Sequence, residues 1–285
     1  MKYNYLEPEA IQRFIRLALQ EDVGTGDHSS LAAVPAHAQR TAQLLVKSTG
    51  VIAGITLAQH IFSIVDEDLR WEILKEDGAE VQSGDIGLYV KGKAQSILKA
   101  ERLVLNCLQR MSGIATLTRR LTQKIAHTSA KLLDTRKTTP NFRMPEKWAV
   151  RIGGGHNHRF GLFDMMMLKD NHIAYAGGIE AAIRGARTYL QEKSLDLRIE
   201  IETQNLEELR QVLAIGEVDV IMLDNMSPAQ MREAVQLVAG RYPLEASGGI
   251  TEETIVEIAE TGVDYISVGA LTHSAPSLDI SLKAI

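Results

Sequence analysis

A single cysteine, Cys107, stands among the 285 residues, so no disulfide forms within the chain and no cysteine cluster holds a metal. Long apolar runs are missing as well. None approaches the ~18 residues of a membrane span, and the opening MKYNYLEPEA has neither the basic head nor the apolar core of a signal peptide. A soluble, unprocessed cytoplasmic protein is therefore expected. Positive charge is in deficit. The net charge of −5 and a pI near 5.9 argue against general nucleic-acid binding, which prefers a basic surface. What is present is ordinary: 45% hydrophobic and 24% charged residues place the chain among folded globular proteins. Its length suffices for two domains, or for one barrel with an extension.

Pro8 can open a helix with Ile11, Phe14, Ile15, Ala18 and Leu19 on one face. Val23 to Ser30 has loop chemistry, while Gln43–Val46 and Val51–Ile55 read as strands. Asp77-Gly78, Ser83-Gly84-Asp85 and Lys91-Gly92 then punctuate short strands at hairpin spacing, which predicts a small α+β domain. From Ala100 a helical stripe of Leu103, Val104, Cys107 and Leu108 leads to an expected break at Ser112-Gly113, followed by a second helix over 114–126. Cys107 on that stripe reads as a buried structural thiol. Arg102 and Arg110 lie off it and, by position alone, read as solvated charges.

Beyond Lys131, short apolar runs alternate with helical stretches: Leu132-Leu133, Met165–Leu168, Arg198–Ile201, Val220–Leu223, Leu244–Ala246 and Tyr265–Val268. This alternation predicts parallel strands joined by crossover helices. Polar or glycine residues follow each run at once: Asp134 and Arg136, Lys169 and Asp170, Glu202, Asp224 and Asn225, Ser247 to Gly249, and Gly269. One such residue would mean little, because strand ends meet water anyway; six in register match the C-terminal mouth of an α/β barrel. Six or seven strands fall short of the eight units and ~250 residues of a full barrel, so an incomplete one is expected.

The segment from Asp134 to His172 is a cationic island. Arg136, Lys137, Arg143, Lys147, Arg151, Arg159 and Lys169 face only Asp134, Glu146, Asp164 and Asp170, a net of +3 within a chain of −5. With His156, His158, His172 and the Gly153–Gly155 run, it suits a small, multiply charged anion. A solvated basic loop would account for the charges, but not for the glycines or for Met165–Leu168. That run ends abruptly at Lys169, as a buried strand emptying into a site would. His156-Asn157-His158 has no third His or Cys at metal-ligand spacing, and its arginine neighbours would repel a cation. The glycine run lacks the GK[ST] ending of a P-loop and the dinucleotide-binding spacing.

Taken together, ERLVLNCLQRMSGIAT (101–116), DTRKTTP (134–140), EKWAVRIGGGHNHR (146–159), LKDNH (168–172), LDN (223–225) and ASGGI (246–250) resemble the quinolinate phosphoribosyltransferases, also called nicotinate-nucleotide pyrophosphorylases (carboxylating). The likeness spans nearly the whole chain in the family's order. Trp148 for the usual Tyr, and Gly26-Asp27-His28 in the early loop, are its minor departures. The resemblance implies an N-terminal open α/β sandwich over 1–112, packed with 272–285, and an incomplete parallel α/β barrel over 113–271. It also implies a homodimer in which the N-terminal part of one subunit caps the barrel of the other. The implied reaction joins quinolinate to phosphoribosyl pyrophosphate, with Mg2+, giving nicotinate mononucleotide, pyrophosphate and CO2.

By the same resemblance Arg136, His158, Arg159 and Lys169 line the quinolinate pocket, and Arg102 reaches in from the partner subunit. Two adjacent carboxylates call for planar bidentate donors, which arginine supplies better than lysine. Lys137, the Ser247-Gly248-Gly249 turn, Gly269 and His273 are implied for phosphoribosyl pyrophosphate, since glycine turns after strands offer N–H groups to phosphate. Lys137, Lys169, Glu202 and Asp224 are the implied catalytic residues, the two carboxylates lying near Mg2+. Glu202 is preferred to Glu200, which shares its strand face, because it is nearer the strand end. Two rivals remain: a related enzyme acting on nicotinate or another base, and a non-enzymatic protein whose basic segment binds RNA or another anion.

Overall fold

The computed structural model describes residues 4–285; Met1–Tyr3, which begin both the MKYNYLEPEA stretch and the expected 1–112 domain, lie outside the described residues. In chain order the first elements are α1 (Pro8–Val23), α2 (His28–Ala33), β1 (Gln39–Val46), β2 (Gly50–Val51), α3 (Ile55–Val65), β3 (Arg70–Ile73), β4 (Glu80–Val81), β5 (Ile86–Lys93) and α4 (Ala94–Lys124). There follow β6 (Lys131–Leu133), α5 (Arg143–Ile152), β7 (Met166–Leu168), α6 (Asp170–Ala176), α7 (Ile179–Glu192), β8 (Ile199–Thr203) and α8 (Leu206–Ile215). The chain closes with β9 (Val220–Asp224), α9 (Pro228–Val238), β10 (Leu244–Ser247), α10 (Ile255–Ala259), β11 (Tyr265–Ser267), α11 (Ala270–His273) and β12 (Ile280–Ala284). Two compact units result: one of Asn4–Arg119, Thr138–Gly154 and Leu271–Ile285, the other of Arg120–Lys137 and Gly155–Ala270.

The first unit is built on an antiparallel sheet, β12-β1-β5-β3, with a two-stranded β2-β4 pair. Helix α1 starts at Pro8 as expected and buries Ile11 and Ile15. Four local expectations need correction. The loop predicted over Val23–Ser30 gives way at His28 to α2, because the Asp27 carboxylate accepts the Ser30 N–H at 3.1 Å and caps the turn. The strand expected over Val51–Ile55 stops at Val51, and Ile55 opens α3. Here Asp77 is decisive: it accepts from the N–H groups of Gly54, Ile55 and Thr56 at 2.6, 2.8 and 3.1 Å, satisfying donors that a helix start leaves open. Lys91-Gly92 lies inside β5 and makes no turn.

The fourth correction is α4, which runs unbroken for 31 residues through Ser112-Gly113. Ser112 is buried there because its hydroxyl accepts from Ala53 N at 2.9 Å and donates to Ala53 O at 3.2 Å. A Cβ on Gly113 would stand 1.9 Å from the carbonyl oxygen of Pro276, so the missing side chain admits a neighbouring backbone and does not end the helix. Cys107 is buried as expected, and burial pushes its thiol up to about 12. Arg110 is not a solvated charge: Nε and Nη2 both donate to Glu146 Oε1 at 3.1 Å, and Nη1 donates to Ala275 O at 2.7 Å.

The second unit holds six strands in the order β6-β11-β10-β9-β8-β7, every neighbouring pair parallel. All six coincide with the apolar runs. β6 and β7 stand at the two ends, so the sheet is an incomplete barrel. Met166 and Met167 are consequently only half-buried, where a fully buried strand was expected. Register divides the side chains sharply. Leu132, Leu168, Ile201, Ile221, Leu223, Leu244, Ala246 and Ile266 fall on one face by strand alternation, the face that α7 and α8 cover. The opposite face carries Glu200, Glu202, Met222, Asp224, Glu245 and Ser247. Parallel strands are ordinarily apolar on both faces. The polar inner face is therefore where a function must be sought.

Candidate active site

Three strands bring acids to the inner face. Glu202 and Glu245 both lie level with Met222 of β9, and Asp224, two residues further along, is paired with Ser247. Glu200, Glu202 and Glu245 are all buried. Cations meet them. Lys169, immediately after β7, contacts Glu202 through Nζ, and its backbone N–H donates to His172 Nδ1 at 3.0 Å, which caps α6.

Arg136 and Arg159 come from the loops after β6 and before β7. Arg159 is buried, and its guanidinium pKa is lowered by that burial first and by the neighbouring Arg136 charge second. Nη1 donates to Met165 O at 3.1 Å, but the buried Nε has no hydrogen-bond partner among the described residues. Two guanidinium groups side by side, one with a buried donor left open, demand an anion.

The loop that presents Arg159 is fixed at both ends. Asp134, wholly buried, accepts from Asn157 Nδ2 at 2.6 Å and from His158 N at 2.9 Å, while His156 bridges to Leu133. Asp164 accepts from the N–H groups of Phe160 and Gly161 at 2.7 and 2.8 Å. His158 points inward, its Nε2 at 2.8 Å from Glu200 and 3.5 Å from Glu245.

The strand ends of β9 and β10 form one surface. Asn225, with φ of 55°, donates from its backbone N to Ser247 O at 2.9 Å and from Nδ2 to Asp224 Oδ2 at 3.0 Å. A Cβ on Gly248 would stand 2.2 Å from Asn225 Oδ1, so only glycine lets the two turns close together. Gly249 beside it is exposed. Lys137 is exposed, Gly269 half-exposed after β11, and His273 exposed at the end of α11, where Nδ1 lies 2.6 Å from Ser274 Oγ. Arg102 lies exposed on α4 of the first unit.

A polar barrel mouth pairing guanidiniums with strand-end carboxylates narrows the choice, and comparison with known proteins decides it. Residues 27–112 and 114–283 match the family models for the N-terminal and C-terminal domains of quinolinate phosphoribosyl transferase. The chain belongs to the quinolinate phosphoribosyltransferase family. A tobacco (Nicotiana tabacum) relative named quinolinate phosphoribosyltransferase [decarboxylating] 2b, mitochondrial, is 47% identical over 96% of this chain and 82% of its own. A Bacillus subtilis relative, named probable nicotinate-nucleotide pyrophosphorylase [carboxylating], is 45% identical over 92% of this chain and 89% of its own. The crystal structure of NadC from Streptococcus pyogenes matches at a TM-score of 0.91 and 42% identity, over 99% of this chain and 100% of that one. Human nicotinic acid phosphoribosyltransferase, at TM-score 0.60 and 14% identity, shares the fold alone.

Two acids of this family member's mouth escape a sequence-only assignment. Glu200 loses to Glu202 on distance from the strand end, yet it is the partner of His158. Glu245 draws no notice, although alternation in Leu244–Ser247 puts it on the face of Ser247.

Proposed function

We infer that the protein transfers phosphoribosyl from phosphoribosyl pyrophosphate to quinolinate with loss of CO2, giving nicotinate mononucleotide and pyrophosphate in NAD biosynthesis. The carrying observation is the Arg136–Arg159 pair with its open, buried Nε, standing beside Lys169 and Glu202. Quinolinate brings two adjacent carboxylates. Planar guanidiniums with Lys169 receive them, and the Ser247-Gly248-Gly249 turn, Lys137, Gly269 and His273 serve the phosphates.

Chemistry follows from that seating. The pyridine nitrogen attacks the anomeric carbon as pyrophosphate departs, and positive charge grows on the ribose. Glu202 and Asp224, on adjacent strands and one face, stabilise that charge, and Lys137 meets the departing pyrophosphate. The N-ribosylated ring is its own electron sink for decarboxylation, and the arginines hold the carboxylate that stays. Glu202 and Asp224 are also the residues that would hold Mg2+. Their hard oxygens suit an ion that keeps most of its water, and half-exposed Asp224 is the more open of the two, since Glu202 engages Lys169. When bound, Mg2+ supplies charge neutralisation of the pyrophosphate.

The working form proposed is a homodimer in which the exposed Arg102 completes the partner's quinolinate pocket. A single buried thiol and no disulfide fit the reducing cytoplasm proposed for it. Among the described residues no helix is long and apolar enough to cross a membrane. The test is incubation with phosphoribosyl pyrophosphate, Mg2+ and either quinolinate or nicotinate, following CO2 and pyrophosphate together. Equimolar release of both from quinolinate is expected. Pyrophosphate from nicotinate alone would sink the assignment.

A further inference from the structure

His158, implied for the quinolinate pocket, forms a buried cluster with Glu200 and Glu245, two acids to which the steps above give no role; their nearest ligating atoms all lie within 4.8 Å of one another. Such a trio has the composition of a metal site, but the hydrogen bonds speak against one. The Arg159 backbone N–H donates to His158 Nδ1 at 2.8 Å, so the single imidazole proton resides on Nε2. Nε2–H then donates to Glu200 Oε2 at 2.8 Å and keeps no lone pair for a cation. What the cluster lacks is a proton between its acids. Among the described residues, Oε1 of Glu200 and Oε1 of Glu245 are both buried with no hydrogen-bond partner, and two adjacent carboxylates out of water do not both stay ionised.

We propose that Glu245 is a positioning residue: as a buried neutral acid beside Glu200 it holds His158 in the Nε2–H form, whose Nδ1 anchors the Arg159 backbone and so aims the guanidinium at the quinolinate carboxylates. The inference rests on the function assigned above. Its links are consecutive hydrogen bonds, from Glu200 to His158 to Arg159 and on to Met165 O. Burial, and then the charge of Glu200, push the Glu245 carboxyl up to about 8, against the pull of His158 and of the Ser267 hydroxyl. Around it stand Glu200 on β8, His158 on the loop before β7, Ser267 and the register partner Tyr265 on β11, and Met222 on β9. Were Glu245 to lose its proton to solvent, two buried carboxylates would repel each other and Glu200 would be drawn off the Nε2–H of His158. The imidazole would then lose its fixed orientation, and the anchor on the Arg159 N–H would fail.

The experiment is the pH dependence of KM for quinolinate and for phosphoribosyl pyrophosphate in wild type and E245Q, whose amide is neutral throughout. In the wild type, KM for quinolinate is expected to rise about tenfold between pH 7 and pH 9, with no matching rise for phosphoribosyl pyrophosphate. In E245Q that rise should vanish. Superimposable wild-type and E245Q profiles, or a level wild-type profile, would overturn the proposal while leaving the assigned reaction standing. Wild type that consumes nicotinate and not quinolinate would overturn both. A second readout is the 15N and Nε2–H NMR signature of His158 followed from pH 7 to pH 9: it should shift in the wild type as the hydrogen bond to Glu200 loosens and stay fixed in E245Q. A wild-type signature unchanged across that range would also refute the role.

Discussion

Arg159 makes three commitments: its N–H to His158, its Nη1 to Met165 O, and a buried Nε left for an incoming group. Lys169 is similarly divided, its main chain held by His172 while Nζ meets Glu202. Side chains fixed this way lose little freedom when substrate arrives, so removing one costs reactivity more than stability. Arg136→Ala and Lys169→Ala should each lower kcat/KM for quinolinate by about 10²–10³-fold, with unchanged far-UV circular dichroism. Near-normal rates in both would defeat the site assignment. At this scale the candidate positions were legible, because Lys169 and Asp224 each follow an apolar run directly and Arg136 follows Leu132-Leu133 after only Asp134 and Thr135. Glu245 was not, since its meaning comes from Glu200 and His158, 45 and 87 positions away in a chain that only folding brings together.

Elements explain where local patterns mislead. Ser-Gly in mid-helix looks like a stop, but in α4 both residues serve close approach of other backbone. Gly113→Ala should therefore destabilise the protein, although alanine is the better helix former by about 1 kcal/mol. The 1.9 Å approach to Pro276 O outweighs that gain, and a lowered thermal midpoint is the expected observation. A midpoint that rises would show the contact to be soft. Asp77 presents the complementary case, a loop carboxylate that decides where a helix begins. Asp77→Ala leaves three N–H groups at the start of α3 without their acceptor and should cost about 1–2 kcal/mol in denaturant titration. No propensity window could assign that cap, because 22 residues separate Asp77 from Ile55.

For the molecule as a whole, the buried acids tie stability to pH. An unfolded glutamate ionises near about pH 4.3, whereas Glu245 keeps its proton in the fold to about pH 8. Between those values the native state binds more protons than the unfolded chain, so stability falls as pH rises through the window and levels off above it. The Tm of E245Q should gain on that of the wild type from pH 5 to pH 8. A constant difference would mean that Glu245 is already ionised.

The proposed dimer makes its own prediction. Arg102→Ala and Lys169→Ala subunits, each inactive alone, should regain up to about a quarter of wild-type activity on mixing, since half the dimers would carry one intact site. No recovery would place Arg102 outside the partner's pocket. By itself the sequence determined the apolar runs that become the parallel strands, the polar ends that follow them and the family, because strand period and strand-end chemistry are local properties of the chain; that the strands number six and not seven came from the fold. Only the tertiary structure decided which acid pairs with which cation, where α3 begins and that α4 continues. Those outcomes depend on side chains and backbone from distant segments competing for the same buried hydrogen bonds.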